Sequence, residues 1–334
     1  MTNPPAFNPD MLSGTVTDRP PPLPPPPEKQ ISATVLSRVV RVLHRYLGGG
    51  RVTKSFFNAA GLHVLPANFY STVPSVDEVN ESFEQLGEEV PYLDPEVFDA
   101  DEMVAFLDQI DRYGAEFDMP KTSPTVPNLG DFYWDNGAFS FSDALAYYSI
   151  IRDRKPNRII EVGCGFSTLV AAEALARNGT GELICVEPYP MPFLRDHPGI
   201  SELVETPVQS LPPGWFDERL EDGDIFFIDS THTVKIGSDC LHLYLRVLPA
   251  LRSKLLVHAH DIFLPFGFPP EWALDLHCYW TEQYLLMAFL VQNPLWKVRF
   301  GSYYHHILNP ERLDSFMRGK CERGGSSFWF EKIA

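Results

Sequence analysis

The segment RIIEVGCGFSTL, residues 158–169, combines residue types that can bind a nucleoside. An apolar run over Arg158–Val162 leads into Gly163 and Gly165, and helical spacing begins near Ser167. Glycines permit a tight turn where a ligand can approach bare backbone, and the start of the following helix offers unpaired N–H groups. A strand, a glycine turn and a helix in this order predict a ligand-binding loop.

Two acids flank this turn. Glu187 closes the next apolar run, where a carboxylate at a strand end can accept the hydroxyl hydrogens of a ribose. Glu161 precedes the turn, and Thr168 stands where dinucleotide-binding loops carry a third glycine. An acid before the turn suits a cationic ligand and would repel a pyrophosphate. The residues therefore favour a cationic nucleoside, with a tight turn that binds nothing as the alternative.

Polar side chains also follow two later apolar runs. The sequence FFIDSTHTVK places Asp229, Ser230 and His232 after the fourth run, and LVHAHDIFLP places His260 and Asp261 after the fifth. Because parallel strands end at one edge of a sheet, these groups are expected to converge. They could supply a general base, His232 or His260, or ligands for a divalent metal ion. The alternative is that the histidines only cap strands.

Strand alternation refines this expectation for the fifth run. It places His258 and His260 on one face, and Ala259 and Asp261 on the other, if the strand extends that far.

The elements that would position these residues alternate between short apolar strands and helical stretches, such as Leu169–Arg177 and Ile236–Leu248. This pattern predicts an α/β fold with a doubly wound, mostly parallel, Rossmann-like sheet of seven strands, the last pair antiparallel. The last pair is expected to be joined by a polar link without a helix. The predicted strands are Arg158–Val162, Glu182–Val186, Leu203–Thr206, Asp224–Ile228, Leu255–His258, Trp296–Gly301 and Ser326–Glu331.

The form E-x-G-x-G at Glu161–Gly165 resembles the first motif of class I S-adenosylmethionine-dependent methyltransferases, and Glu187 matches the ribose acid of that family. The segments IDSTHTVKIGSD, VHAHDIFLP, WTEQYLLMAF and GGSSFWFEK resemble a bacterial branch, the methyltransferase 24 or macrocin O-methyltransferase-like domains. The resemblance covers about residues 131–333 and implies transfer of a methyl group from S-adenosyl-L-methionine.

The resemblance also implies roles for single residues. Glu161, Gly163 and Gly165 would border the methionine moiety, Glu187 would hold the ribose, and Gln209 would border the adenine. Other expected cofactor contacts are Ser167, Thr168, Asp229 and Ser230. Asn136, Ser140 or Asp143, in the helix before the first motif, could close over the cofactor.

Similarity to magnesium-binding O-methyltransferases implies a metal site. Asp229 matches their first ligand, whereas His260 and Asp261 replace an Asp-Asn pair and leave room for a softer metal. The expected catalytic residues are Asp229, His232 and His260, and the expected metal ligands are Asp229, His260 and Asp261. The expected reaction is methylation of a small molecule, with O-methylation assisted by a divalent metal as its finer form.

Three other functions remain open at this point. They are a nicotinamide-dependent oxidoreductase, a metal-dependent oxidation or hydrolysis enzyme on the same fold, and a non-catalytic scaffold. The aromatic loop 263–272 and the helix carrying Trp280 and Glu282 are expected to shape the acceptor pocket.

Composition limits the partners. The 334 residues carry 44 acidic and 27 basic side chains, a net charge of −17, which disfavours nucleic acid and anionic membranes. Five scattered cysteines indicate reduced thiols, and no apolar run is long enough to span a bilayer, so a cytoplasmic protein is expected. Association of identical chains stays open.

The sequence also divides along its length. A proline-rich arm is predicted over residues 1–29, and a mostly helical extension over residues 30–130 with helices at Ala33–Leu47 and Asp101–Phe117. The methyltransferase domain is predicted over residues 131–334.

Overall fold

A computed structural model of the chain describes residues 35, 37–42, 51–63, 68–87, 90–123 and 130–334. The predicted proline-rich arm lies outside the described residues, as does most of the helix predicted over Ala33–Leu47. The chain divides into two compact units, with a boundary between Ser82 and Phe83. The domain limits drawn from the sequence stay predictions.

The unit that ends at Ser82 contains helices α1 (Arg51–Ala59) and α2 (Val76–Asn80). Ser75 caps α2, because its hydroxyl accepts a hydrogen bond from the backbone N–H of Glu78 at 3.2 Å. The Ser75 N–H donates in return to the Glu78 carboxylate at 2.7 Å. This reciprocal pair satisfies two backbone donors at the start of a short helix.

The larger unit alternates helices with the strands of one sheet. Its helices are α3 (Phe83–Leu86), α4 (Ala100–Gly114), α5 (Phe141–Arg154), α6 (Phe166–Asn178), α7 (Pro192–Arg195), α8 (Pro213–Asp217), α9 (Asp239–His242), α10 (Pro270–Leu274), α11 (Glu282–Leu290), α12 (Ser302–Leu308) and α13 (Pro310–Met317). A π-helical turn, Leu243–Val247, and a 3₁₀ turn, Leu248–Ala250, extend α9. The strands are β1 (Arg158–Val162), β2 (Glu182–Val186), β3 (Glu202–Val204), β4 (Ile225–Ile228), β5 (Leu256–Ala259), β6 (Trp296–Gly301) and β7 (Phe328–Lys332).

The seven strands form one sheet in the order β3-β2-β1-β4-β5-β7-β6. Strands β1 to β5 pair in parallel, and β7 is antiparallel to both β5 and β6. This topology confirms the predicted α/β class and the antiparallel last pair. The strand order reverses between β1 and β4, and ligands bind at such a reversal in open α/β sheets.

The link between β6 and β7 differs from the prediction. It contains α12 and α13, whereas the sequence analysis expected a polar link without a helix. Helix α13 has Leu313, Phe316 and Met317 buried at helical spacing. These residues recur at threes and fours, so the interpretation of this segment as merely polar was wrong.

Apolar side chains cover both faces of the sheet. One face packs against α5 and α6, with Tyr147, Val170 and Trp329 among its buried residues. The other face packs against α8, α9 and α11, with Phe216 and Leu286 among its buried residues. Because both faces are buried, the central strands are nearly all apolar and their polar residues gather at the strand ends. Within the described residues, no helix combines the length and the apolar character needed to cross a bilayer.

Candidate active site

The carboxyl ends of the central strands lie side by side at one edge of the sheet. One backbone hydrogen bond continues the pairing beyond each strand. The N–H of Gly163 donates to β2 at 3.1 Å, that of Asp229 donates to β1 at 2.8 Å, and that of His260 donates to β4 at 3.0 Å. The glycine turn and both polar segments therefore meet at the edge that the sequence predicted.

Gly163 holds the turn against the end of β4. Its φ is +82°, in the left-handed region that favours glycine. A Cβ at this position would lie 1.8 Å from the carbonyl oxygen of Asp229, so no side chain fits. A Cβ on Gly165, in contrast, would have no neighbouring atom within 4 Å. The turn is closed on the side of Asp229 and open beside Gly165, where a ligand can approach the backbone.

Glu161 lies beneath the turn and is completely buried. Its Oε2 accepts a hydrogen bond from the Thr168 hydroxyl at 2.7 Å, and that hydroxyl accepts one from the Gly165 N–H at 3.1 Å. Its Oε1 has no hydrogen-bond partner among the described residues. Burial raises the pKa of Glu161 to about 8. A buried carboxyl with one free oxygen is a suitable partner for a cationic ligand group.

Glu187 connects the end of β2 to the same turn. Its carboxylate accepts hydrogen bonds from the N–H groups of Tyr189 at 2.8 Å and Cys164 at 3.3 Å. The side chain is half-buried, and burial raises its pKa. The carboxylate is thus held in place next to the glycine turn, at the position predicted for the ribose acid.

The other predicted cofactor contacts have varied positions. Ser167 is buried with Thr168 in the first turn of α6, and Gln209 is exposed in a 3₁₀ turn after β3. The Ser230 hydroxyl donates to Glu282 at 2.9 Å. Cofactor binding by these residues stays a prediction.

Asp229, His232, His260 and Asp261, which we call the acid–histidine cluster, lie together after β4 and β5. Oδ1 of Asp229 is 3.3 Å from Nε2 of His232 and 3.8 Å from Nδ1 of His260. Asp261 lies between the same two rings, with Oδ2 3.4 Å from Nε2 of His232 and Oδ1 3.5 Å from Nδ1 of His260. The structure therefore brings together all predicted catalytic and metal-binding residues.

Asp229 belongs to both parts of the site. Its carbonyl oxygen touches the glycine turn at Gly163, and its side chain, about one-third exposed, faces the two imidazoles. A ligand in the turn would consequently lie next to the acid–histidine cluster.

The start of α11 fixes His232. The backbone of His232 has a φ of +57°, and its carbonyl accepts the N–H groups of Thr281 at 2.8 Å and Glu282 at 3.1 Å. Nδ1 of its ring lies 2.9 Å from Oε2 of Glu282, a carboxylate that is almost completely buried. Tyr244 donates to the other oxygen of Glu282 at 2.8 Å. Since Glu282 occupies Nδ1, the ring presents Nε2 to Asp229 and Asp261.

The face alternation predicted for a strand extending to Asp261 does not apply, because β5 is shorter. The strand ends at Ala259, and Asp261 has a φ of +54°, which rotates its side chain to the side of His260. His258 lies in the core instead, stacked on Phe227 with ring centroids 3.8 Å apart. Its Nε2 is 2.8 Å from the Ser327 hydroxyl, so His258 is a core histidine outside the cluster.

The carboxylates control the charge of both cluster histidines. Burial alone would lower the pKa of His232, but the hydrogen bonds that its ring donates to Asp229 and Glu282 raise it to about 10. Burial is likewise outweighed at His260, where Asp261 and Asp229 raise the pKa well above its usual range. The surrounding carboxylates therefore favour the protonated form of both rings.

The donor set fits a divalent cation. One ligand atom each from Asp229, His260 and Asp261 lies within 4.8 Å of the others. Two carboxylates and one imidazole suit divalent ions such as Mn²⁺ or Fe²⁺, whereas Mg²⁺ prefers oxygen ligands. The partly exposed Asp229 gives access from solvent, and the buried Asp261 and His260 close the other side.

Aromatic side chains form one wall beside the cluster. The ring centroids of Trp280 and His232 are 4.4 Å apart, and Trp272 packs edge-on against Trp280 at 5.4 Å. Phe263 contacts Trp272 at 5.2 Å. The loop after β5 and the segment before α11 thus lie beside the cluster, and their role in shaping an acceptor pocket stays a prediction.

Sequence reasoning missed two partners of the cluster. Glu282 was expected only to shape a pocket, and its contact with His232 spans 50 residues of chain. Asp143 was considered only as one of three residues that could close over the cofactor, and its Oδ2 lies 3.2 Å from Nε2 of His260. Asn136 and Ser140 bond instead to backbone atoms of their own loop. The only sequence signal for these roles is that the residues are polar, because each contact is formed between residues far apart in the chain.

Comparison with known proteins assigns the family. A methyltransferase domain of the methyltransferase 24 type matches residues 160–262, which include the turn, Glu187 and the cluster. An uncharacterised protein of Archaeoglobus fulgidus is 36% identical over 172 residues, covering 48% of this chain and 75% of its own length.

Solved structures show weaker similarity. An O-methyltransferase from Bacillus cereus in complex with S-adenosylhomocysteine has a TM-score of 0.33 and 10% identity, and covers 69% of this chain and 91% of its own. The plantazolicin methyltransferase BamL was solved in complex with a triazolic desmethylPZN analogue and S-adenosylhomocysteine. It has a TM-score of 0.33 and 12% identity, and the match covers 77% of this chain and 94% of the BamL chain. At these scores the assignment rests on the family match and the strand order. The chain belongs to the methyltransferase 24 family of class I S-adenosylmethionine-dependent methyltransferases.

Proposed function

We propose that this enzyme transfers the methyl group of S-adenosylmethionine to a hydroxyl oxygen of a small molecule, at a divalent metal centre held by Asp229, His260 and Asp261. The observation that carries the proposal is the double contact of Asp229. Its backbone closes the glycine turn, and its side chain belongs to the acid–histidine cluster.

The cofactor would lie across the turn at Gly165. Glu187 would bind the ribose hydroxyl groups, and the free Oε1 of Glu161 would face the positive charge of the methionine moiety. This placement leaves the sulfonium on the side of Asp229. A methyl acceptor beside the cluster would then be close to the methyl carbon.

Methyl transfer is an in-line displacement. A lone pair of the acceptor oxygen forms the new bond to the methyl carbon, and the electrons of the broken carbon–sulfur bond stay on sulfur, leaving S-adenosylhomocysteine. The hydroxyl proton must leave to a base. His232 is the proposed base, because Glu282 engages its Nδ1 and its Nε2 faces the cluster.

A divalent cation at this donor set would lower the pKa of a hydroxyl group that ligates it. His232 can accept a proton only in its neutral form, and the carboxylates of the metal-free protein favour the protonated form. The base role is therefore tied to a cation that offsets the charges of Asp229 and Asp261. The net charge of −17 supports an uncharged or cationic small molecule over a nucleic acid as the acceptor.

The test compares pairs of small molecules that carry a hydroxyl or an amino group on the same scaffold. Transfer of labelled methyl from S-adenosylmethionine is measured before chelation, after chelation and after return of Mn²⁺. We expect transfer to hydroxyl groups alone, loss on chelation and recovery with metal. Transfer to amines that survives chelation would contradict both the acceptor class and the metal.

A further inference from the structure

Asp143 is a buried carboxylate in the first turn of α5, and the chain before β7 closes around it. The backbone N–H groups of Ser327 and Ser326 donate to its two oxygens at 2.9 and 3.0 Å. Only 3% of the residue is exposed. These bonds join the helix before the first motif to the segment that leads into the central antiparallel strand.

Gly325 makes this closure possible. Its φ is +95°, and a Cβ at this position would lie 2.3 Å from Oδ1 of Asp143. The Ser142 hydroxyl also bonds to the carbonyl oxygen of Gly324. The segment Gly324–Ser327 is therefore shaped to fit the Asp143 carboxylate.

The same carboxylate reaches the acid–histidine cluster twice. Its Oδ2 lies 3.2 Å from Nε2 of His260. Ser326, whose N–H binds Asp143, donates its hydroxyl to Oδ1 of Asp261 at 2.7 Å. Asp143 thus contacts one proposed metal ligand directly and the other through one serine.

The orientation of the His260 ring follows from this contact. With Nε2–H donating to Asp143, Nδ1 is the nitrogen that faces Asp261 at 3.5 Å and Asp229 at 3.8 Å. A histidine that binds a metal through one nitrogen commonly donates its other N–H to a carboxylate, which fixes the ring and increases the basicity of the ligand.

We propose that Asp143 is a positioning residue that holds His260 and Asp261 in the geometry for binding a divalent cation, without contacting the methyl donor. The inference rests on the proposed function, because it concerns the affinity of the proposed metal centre.

The experiment uses the full chain and titrates Mn²⁺, followed by electron paramagnetic resonance of the free ion. Calorimetry with S-adenosylhomocysteine and thermal melting are measured on the same samples. We expect Asp143→Asn to weaken Mn²⁺ binding by about 10- to 100-fold, and to change the affinity for S-adenosylhomocysteine by less than about twofold. If Asp143 had only a structural role, the substitution would loosen the fold and weaken the binding of both ligands together.

The matched control is Asp153→Asn, at the other end of α5. The Asp153 side chain is also buried and bonds to Gln109 at 2.6 Å, but it lies in no contact with the cluster. It should leave the Mn²⁺ affinity unchanged. If Asp143→Asn fails to fold, Ser326→Ala is the second variant, because it removes only the hydroxyl hydrogen bond to Asp261. It should lower the affinity for Mn²⁺ by about threefold to tenfold.

The outcomes separate the two proposals. Equal Mn²⁺ affinity of the wild type, Asp143→Asn and Ser326→Ala would overturn the role of Asp143 and leave the metal centre standing. A wild-type protein that binds S-adenosylhomocysteine but neither Mn²⁺ nor another divalent ion would overturn the metal centre, and the role of Asp143 with it.

Discussion

The carbonyl oxygen of Asp229 occupies the space that a side chain at Gly163 would need, with only 1.8 Å between that oxygen and a Cβ. Strand β1 can turn into α6 at this point because residue 163 is glycine. The same contact fixes the start of the loop that carries Asp229 and His232. Cofactor turn and reaction site are thus built on one backbone contact.

The two glycines of the turn predict opposite effects. Gly163→Ala should destabilise the protein by about 3 kcal/mol or more, because alanine is strained at a left-handed φ and its Cβ would collide with the backbone of Asp229. Gly165→Ala should leave the melting temperature nearly unchanged, since its φ of −170° is open to any residue and its Cβ meets no atom. It should nevertheless weaken the binding of S-adenosylhomocysteine, because the alanine side chain would enter the space proposed for this ligand. Calorimetry and thermal melting of both variants check this, and normal binding by Gly165→Ala would place the ligand elsewhere.

Glu187→Ala should weaken the binding of S-adenosylhomocysteine by about 1–3 kcal/mol, because the ligand loses a charged hydrogen-bond partner. Glu182→Ala is the matched control, because Glu182 begins the same strand at the opposite edge and pairs with Arg158 on the surface. Calorimetry should find the control unchanged. Equal affinity for both variants would remove Glu187 from the ribose site.

Glu161 should make stability depend on pH. Burial raises its pKa from 4.5 to about 8, so the folded protein holds this proton more tightly than the unfolded chain. The resulting stabilisation is complete below the unfolded pKa and is lost as the pH rises to about 8. We expect the melting temperature of the wild type to fall relative to Glu161→Gln between about pH 5 and pH 8. Parallel curves for the two proteins would show that Glu161 is ionised throughout.

Asp229→Asn should separate metal from cofactor. The substitution keeps the backbone carbonyl that meets Gly163 and removes the charge that faces His232 and His260. We expect Mn²⁺ affinity to fall by at least about tenfold, with little change in S-adenosylhomocysteine affinity. A loss of S-adenosylhomocysteine affinity with unchanged Mn²⁺ affinity would assign Asp229 to the cofactor site and contradict its role as a metal ligand.

Local patterns carried the fold prediction. The predicted bounds of β1 and β2 agree with the structure, because each is a short apolar run stopped by a glycine or an acid. The helices between β6 and β7 were missed because Ser302–Leu308 mixes polar and apolar residues, and its buried residues include Ser302 and His305, whereas Ile307 and Leu308 are exposed.

The site was predictable to the level of residue groups. Strand ends placed Asp229, His232 and His260 at one edge, but the side of Asp261 depended on a left-handed backbone angle that aspartate adopts without a sequence signal. The partners Glu282 and Asp143 come from distant helices. Their roles follow from packing, which periodicity does not encode.

The most direct measurement is an anomalous difference map from a crystal grown with S-adenosylhomocysteine and Mn²⁺. The account predicts the ribose within hydrogen-bond distance of Glu187, and a manganese peak among Asp229, His260 and Asp261. A nucleoside bound away from the Gly163 turn, or manganese absent from the cluster while the nucleoside is bound, would contradict it.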